Sequence, residues 1–383
     1  MEHMELYIHY PFCVKKCNYC DFLSAPAAPV QRALYVDALI REMEFLAPEY
    51  STRTVATLFI GGGTPSLMES HELIKVMDKI RTCFHLSRDC EITMEANPGT
   101  IDREKARTMA RAGINRLSIG LQSADPGELK LLGRIHTWED FEESYVWARE
   151  AGIKNINVDL MSALPGQDLK SWETTLNKVI EKNPEHISAY SLIIEEGTPF
   201  YQIYGETEEQ KNRDKWPSLP GEDEDRKMYA LTGQMLKSAG YARYEISNYA
   251  RPGFECRHNT GYWLRKDYLG LGLGAASLMD GRRFENTRDL KAYLNGDFSH
   301  KNIQILSRAD AMAEFMFLGL RLINGVWDKD FIRTFGKSFM EVYGEPIRQH
   351  CQEGLLYYIE ETGQLALTER GIDVSNYVLC DFL

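Results

Sequence analysis

Asn155-Ile156-Asn157-Val158-Asp159-Leu160-Met161 alternates polar and apolar side chains with a period of two. Successive side chains of a β-strand point to opposite faces, so Asn155, Asn157 and Asp159 share one face and Ile156, Val158 and Leu160 the other. The pattern recurs elsewhere. Glu91, Thr93 and Glu95 oppose Ile92, Met94 and Ala96; Arg116, Ser118 and Gln122 oppose Leu117, Ile119 and Leu121; Tyr7 and His9 oppose Leu6 and Ile8. With Thr57–Ile60 and His186–Leu192 these runs make six strand candidates, and segments of helical period separate them. Val36, Ile40, Met43 and Ala47 form one apolar stripe, Leu73, Met77, Ile80 and Phe84 a second, and Leu169, Trp172, Leu176 and Val179 a third. Such alternation reads as parallel βαβ units, and six of them fit a partial (β/α)6 barrel better than a closed eight-unit one. Helices must cover the apolar faces, so the polar sets face inward together and line a cavity for a large polar ligand. The alternative, a solvated antiparallel sheet, is opposed by the intervening helices.

The texture changes after residue 200. Tyr204 to Glu224 is polar, carries Pro217 and Pro220, and reads as a loop or mobile excursion. A helix is expected around Glu224 to Ala239, ending at Gly240, followed by Arg243–Ser247, a loop with Cys256 and His258, and the run Gly270-Leu271-Gly272-Leu273-Gly274. From about residue 305 a small α+β domain is expected, with an apolar helix (Met312, Phe315, Phe317, Leu320) and a Leu356–Ile359/Gln364–Leu367 hairpin turned at Thr362-Gly363. It resembles a winged helix, but its acidic residues speak against DNA binding. The expected division is therefore a barrel over 1–200, a barrel extension over 201–304 and a C-terminal domain over 305–383. A formal net charge of −12 argues against non-specific nucleic-acid binding. No apolar run approaches a membrane span and the N-terminus has no signal-like apolar stretch, so the expected compartment is the cytoplasm. Cys380-Asp381-Phe382-Leu383 looks like a prenylation box only superficially, because Asp381 stands where an aliphatic residue is wanted.

Eight cysteines are too few and too unevenly placed for a disulfide scaffold. Three of them form Cys13-Val14-Lys15-Lys16-Cys17-Asn18-Tyr19-Cys20, a Cys-x3-Cys-x2-Cys loop. Three thiolates on one short loop can hold three irons of a cubane cluster and leave the fourth open. Structural zinc wants four ligands, and His9, on the lumen face, is the nearest candidate for a fourth. Gly61-Gly62-Gly63-Thr64-Pro65-Ser66 follows the second strand directly, where a glycine run either makes a tight turn or lets backbone N–H groups approach a polar ligand. Glu95, Gln122, Arg134 and Asp159 fall at or just past strand ends, the rim where a βα barrel gathers its chemistry.

The triplet, with its Tyr19-Cys20 step, resembles the radical S-adenosylmethionine (SAM) superfamily. The resemblance implies a [4Fe-4S] cluster on Cys13, Cys17 and Cys20. Its open iron takes the amino and carboxylate groups of SAM, whose reductive cleavage yields methionine and a 5′-deoxyadenosyl radical. It also implies that Gly62, Gly63 and Thr64 seat the methionyl end, so that a side chain at Gly63 would block SAM and spare the iron. Tyr7, Tyr19, Glu95, Gln122, Arg134 and Asp159 match SAM-contacting positions of the oxygen-independent coproporphyrinogen III oxidase family, residue by residue.

Two departures separate this chain from the oxidases, which carry a further cysteine at the position of Phe22 and a longer segment before the loop. Both resemble the haem chaperone branch of that family, as does His258-Asn259-Thr260-Gly261-Tyr262-Trp263. A neutral His258 can ligate haem iron, and Tyr262 and Trp263 can pack on a porphyrin face. The plainer reading is a loop that packs two aromatics against the barrel. Many relatives have Gly-Ala-His where this chain has Gly274-Ala275-Ala276. The implied partners are a haem-acceptor protein and an electron donor such as flavodoxin or ferredoxin. Coproporphyrinogen III oxidase activity is predicted absent, and the alternative is a radical enzyme acting on a tetrapyrrole.

Overall fold

The computed structural model describes residues 2–205 and 215–383; part of the polar stretch expected between Tyr204 and Glu224 lies outside them. Six strands alternate with helices: β1 (His3–Tyr10), β2 (Thr54–Gly62), β3 (His85–Ala96), β4 (Arg116–Gln122), β5 (Asn155–Ser162) and β6 (His186–Ser191). All five neighbouring pairs among them are parallel. The covering helices are α1 (Pro29–Tyr50), α2 (Ser70–Cys83), α3 (Arg103–Arg111), α4 (Trp138–Glu150) and α5 (Leu169–Lys182). Local chemistry fixes their ends. Glu69 with Glu72 and Thr137 with Asp140 form reciprocal capping boxes, and Asn183, in the left-handed region at φ 55°, stops α5.

Outward-facing Leu6, Ile8, Leu58, Ile60, Leu117, Ile119, Ile156, Val158 and Leu160 pack under the helices in one apolar core. The opposite faces carry Glu5, Thr57, Glu91, Thr93, Arg116, Ser118, Asn157 and His186, all buried. The fold is thus a partial barrel with a polar lumen.

The chain after residue 200 lengthens this sheet at both margins. At one margin α6 (Glu222–Ser238) leads to the short antiparallel strands β7 (Ala242–Arg243) and β8 (Asn248–Ala250), with β8 on β6 and β7 at the edge. Then α7 (Arg257–Trp263) intervenes. At the other margin β9 (Tyr268–Leu271) runs parallel to β1, opening an antiparallel series of β10 (Ala276–Met279), β11 (Arg282–Glu285) and β12 (Lys301–Ile305). Among the described residues β9 is therefore a seventh parallel strand, inside the glycine run. Gly270 lies where a Cβ would strike the backbone of Ala276, so close pairing, not a loop, requires glycine there.

Residues beyond 305 build a separate apolar core around Met316, Phe331, Phe335, Phe339, Leu365 and Phe382. Helices over Arg308–Gly319, Asp328–Phe335 and Phe339–Gln352 pack with a three-stranded sheet made of Val326–Trp327 and the Leu356–Ile359/Gln364–Leu367 hairpin. Among the described residues no helix is long and apolar enough to cross a membrane.

One buried carboxyl ties the added strands to the barrel. Glu42 of α1 accepts from the Gly272 amide (2.7 Å), Asn286 Nδ2 (2.5 Å) and Tyr293 Oη (2.6 Å). Burial pushes its carboxyl up to about 7, against the pull of those hydrogen bonds. The folded state therefore binds more protons than the unfolded chain, and stability contributed here falls as pH rises from 4.5 to about 7. Denaturation followed across that interval should show the wild type losing stability relative to Glu42→Gln. Glu42→Ala, which strands three donors, should be destabilised by about 3 kcal/mol.

Candidate functional site

The cysteine loop leaves β1 at the carboxyl ends of the parallel strands. It is closed by a short bridge between Phe12–Cys13 and Ala25–Pro26, and Asn18 anchors its middle through bonds to the Leu131 and Leu132 carbonyls (2.8 and 2.9 Å). Cys13, Cys17 and Cys20 all line a cavity of about 440 Å³, together with Tyr19, Gly62, Gly63, Thr64, Glu95, Gln122, Arg134 and Asp159. Cys90 and Cys256 are buried elsewhere, and none of Cys83, Cys90 and Cys256 reaches this cavity.

The glycine turn is clamped to the loop by backbone. Gly63 N–H donates to the Tyr10 carbonyl and Thr64 N–H to the Phe12 carbonyl, each at 2.8 Å. A Cβ on Gly63 would meet Phe12 backbone atoms 2.7–2.9 Å away, and one on Gly62, at φ +111°, would strike the His9 ring. This changes the expectation for Gly63: a side chain there would push on the start of the cysteine loop, not on a SAM site alone. Gly62 N–H itself points to Glu95 Oε2 (3.0 Å).

A polar chain runs along the rim. Asn97 Nδ2 donates to Thr64 Oγ1, and Arg134 Nη2 donates to Asn97 Oδ1, both at 2.8 Å. Arg134 Nη1 reaches Cys17 Sγ (3.6 Å), while its Nε is buried with no partner. Asp159 accepts from Asn157 Nδ2 (2.7 Å) and Ser118 Oγ (3.1 Å). Gln122 adopts the left-handed region (φ 70°) at a register shift between β4 and β5, and accepts from Tyr190 Oη (3.1 Å). Asn97, Ser118 and Tyr190 also line the cavity; the lumen alternation of β4 pointed to Ser118, whereas Tyr190, on a strand for which no alternation was read, and Asn97 were not singled out. Tyr7 is not at the cavity wall: its Oη meets His9 Nδ1 (3.0 Å), and His9 Nε2 in turn meets the Leu23 carbonyl (2.9 Å).

Burial, reinforced by the charge of Asp159, pushes the Glu95 carboxyl up to about 8, and burial likewise raises Asp159. Two carboxyls raised by burial despite the charge of Arg116, the Arg134 guanidinium whose Nε has no partner and three thiols on an open-sided loop suit a ligand set holding an iron–sulfur cluster beside a cationic, zwitterionic cofactor. The donor set fits both groups.

The His258 segment, expected as a haem contact, lies apart from the cavity at the cysteine loop. His258, Tyr262 and Trp263 belong to helix α7, which covers the amino ends of the strands, opposite the cysteine loop. His258 is 1% exposed, and both ring nitrogens are engaged, Nδ1 with Thr57 Oγ1 (2.7 Å) and Nε2 with Tyr262 Oη (3.0 Å). Its ring stacks on Phe59 at 5.1 Å, and burial pulls its pKa down to about 3. Arg321 covers the Trp263 ring at 4.4 Å. Gly261 leaves room for the buried Glu5 carboxylate, where any Cβ would collide. His258 and Tyr262 close the barrel floor, while Trp263 packs toward the C-terminal domain; both aromatics are used in packing, on a helix and not a loop.

Comparison with known proteins accords with this architecture. The Radical SAM superfamily profile matches residues 7–179, and the HemN C-terminal domain profile matches residues 306–374. Proteins named heme chaperone HemW are similar over nearly the whole chain. The Bacillus subtilis protein is 35% identical, covering 98% of each chain; the Escherichia coli protein is 36% identical, covering 99% of this chain and 98% of its own. That of Lactococcus lactis is 34% identical, covering 98% and 96%. Among solved structures, coproporphyrinogen III oxidase (HemN) from E. coli superposes with a TM-score of 0.85 at 24% identity, covering 100% of this chain and 90% of its own, which shows a shared fold. The chain belongs to the radical SAM superfamily and, within it, to the HemN-related family of the HemW proteins.

Proposed function

We propose that this protein is a haem chaperone of radical SAM type, holding a [4Fe-4S] cluster on Cys13, Cys17 and Cys20 and passing haem to an acceptor protein. One observation carries the first half: the three thiols open onto a single cavity with Glu95, Gln122, Arg134 and Asp159. Radical SAM proteins carry a [4Fe-4S] cluster and SAM, and reductive cleavage of the sulfonium is the chemistry that pair supplies. The chain's own residues bind and orient. Arg134, fixed by Asn97, is placed to receive a carboxylate beside Cys17, and Glu95 and Asp159 offset positive charge at the cavity floor.

The names of the relatives and the residue at position 22 support the haem half. Phe22 occupies the place of the oxidases' further cysteine; it is 58% exposed and lines the cavity, as does Ile193, 68% exposed. Exposed apolar side chains at a polar cavity's rim offer a porphyrin face a surface to cover. The second reading, a radical enzyme acting on a tetrapyrrole, rests on the same intact cavity; Phe22 opposes it.

Anaerobic reconstitution should give about four irons per chain. Cys17→Ala should lose nearly all of them, and Cys83→Ser, Cys90→Ser and Cys256→Ser together should lose none. Gly63→Val should lose iron as well as SAM binding, because its side chain meets the Phe12 backbone; iron analysis and equilibrium dialysis separate the two.

Haemin titrated into the reconstituted protein should shift the Soret band. Phe22→Ser with Ile193→Ser should weaken that binding about tenfold, the loss expected for uncovering two apolar contacts. His258→Ala should lower the melting temperature while leaving the spectrum of the folded fraction unchanged. Loss of the Soret shift in folded His258→Ala would restore the imidazole as the iron ligand.

Coproporphyrinogen III incubated with the reduced protein and SAM should be recovered without decarboxylation, by product chromatography. Turnover to protoporphyrinogen would establish the enzyme reading instead.

A further inference from the structure

A groove of about 1050 Å³ runs between α6 and the C-terminal helix Glu369–Asp373, and it shares no lining residue with the cavity at the cysteine loop. Gly233 and Ala230 of α6 keep its floor low, and the edge strand β7 forms part of its wall. Lys237, Arg243 and Arg370 line it, and among the described residues none of the three has a carboxylate within ion-pair distance. The Arg243 guanidinium is held instead by ring faces, 4.9 Å from the centre of Tyr229 and 5.3 Å from that of Tyr249, and it donates to Tyr229 Oη (3.1 Å). The carboxylates present are Glu369 and Asp373, the latter 3.5 Å from Arg226. Arg370 donates to the Glu353 carbonyl (3.3 Å) and not to a carboxylate, and three cations without a carboxylate partner in one groove stand out on a chain of net charge −12.

The second observation is the open sheet edge. β7 ends the strand order and pairs on one side only, through Arg243 with Tyr249 and Ala242 with Ala250; the free edge is confined to these two residues, because Ile323 N–H donates to the Tyr244 carbonyl (3.0 Å) and Glu245 bridges Leu322. An exposed edge accepts the backbone of an incoming extended segment. Along α6 the groove runs from Arg226 to Lys237, about 16 Å at helical rise, which an extended chain of about five residues spans. No histidine, cysteine or methionine lines it, and Arg243 already covers the tyrosine rings, so the groove suits neither haem iron nor a porphyrin face.

We propose that this groove docks an extended acidic segment of a partner protein, its backbone added to β7 and its carboxylates set on Lys237, Arg243 and Arg370. The proposal stands apart from the haem reading and fails or holds independently of it.

The test uses the full chain with its cluster reconstituted and a fluorescein-labelled peptide of alternating glutamate and valine, followed by anisotropy. Saturable binding is expected, weakening as salt is raised. Lys237→Glu with Arg370→Glu, both exposed, should weaken it about tenfold, and Arg243→Gln by a similar factor, while the distant exposed Lys154→Glu leaves it unchanged. A peptide of the same charge, N-methylated at alternate residues so that it cannot pair with a strand, should also bind about tenfold more weakly. Equal affinity in the Lys237/Arg370 variant, equal affinity of the N-methylated peptide, or stoichiometric displacement of the peptide by haemin would overturn the proposal.

Discussion

The backbone clamp between the glycine turn and the cysteine loop is the contact on which the rest of the site depends. Gly63 and Thr64 bond the carbonyls of Tyr10 and Phe12 only because β1 and β2 pair in a register that sets His9 beside Gly61 and Tyr10 beside Gly62. That register is in turn fixed by the lumen, where a slip of one residue would turn Glu5, Tyr7 and His9 into the apolar layer under the helices. Core packing thus decides where three thiols stand, through a few backbone contacts too close to admit a Cβ.

A polar lumen obliges the interior to satisfy its own hydrogen bonds. Asn157 shows how: its amide serves Ser118 and Asp159, while its carbonyl oxygen meets His186 and Ser188. Around Asn157 donors and acceptors are matched from strand to strand across β4, β5 and β6, although Arg116 Nε and Asn155 Oδ1 nearer the strand starts are buried without a partner. The Glu95 side is less fully matched. Its carboxyl, with Asp159 near, holds a proton more tightly than an ordinary glutamate does, the condition expected of a group whose counter-charge arrives with a ligand.

The barrel was legible because its signals are local. Period-two alternation located four of the six βα strands, Thr57–Ile60 and His186–Leu192 were legible as short strand-like runs between helical segments, and Arg116–Gln122 falls on the structure's own boundaries. Strand β9 was hidden because glycine carries no strand signature, and its reason for being there, contact with Ala276, is tertiary. The cavity residues were readable where they lay on alternating strands or in a motif. Asn97 was not, because its importance is relational: it spans from Thr64 to Arg134. The position of the His258 segment was illegible for a related cause. Histidine, tyrosine and tryptophan in one run suit a porphyrin by residue type, yet burial against Thr57, Phe59 and Glu5 decides their use, and burial is invisible in the run itself.

Helix α7 stoppers the barrel at the amino ends of its strands, so the lumen is a blind well, entered through the mouth ringed by the cysteine loop, Phe22 and Ile193. Traffic through a blind well is last in, first out. Any molecule seated at its depth would have to enter before one that spanned the mouth, and would leave after it. The residence of an upper guest would then set the lifetime of a lower one, an ordering that follows from the shape of the well alone.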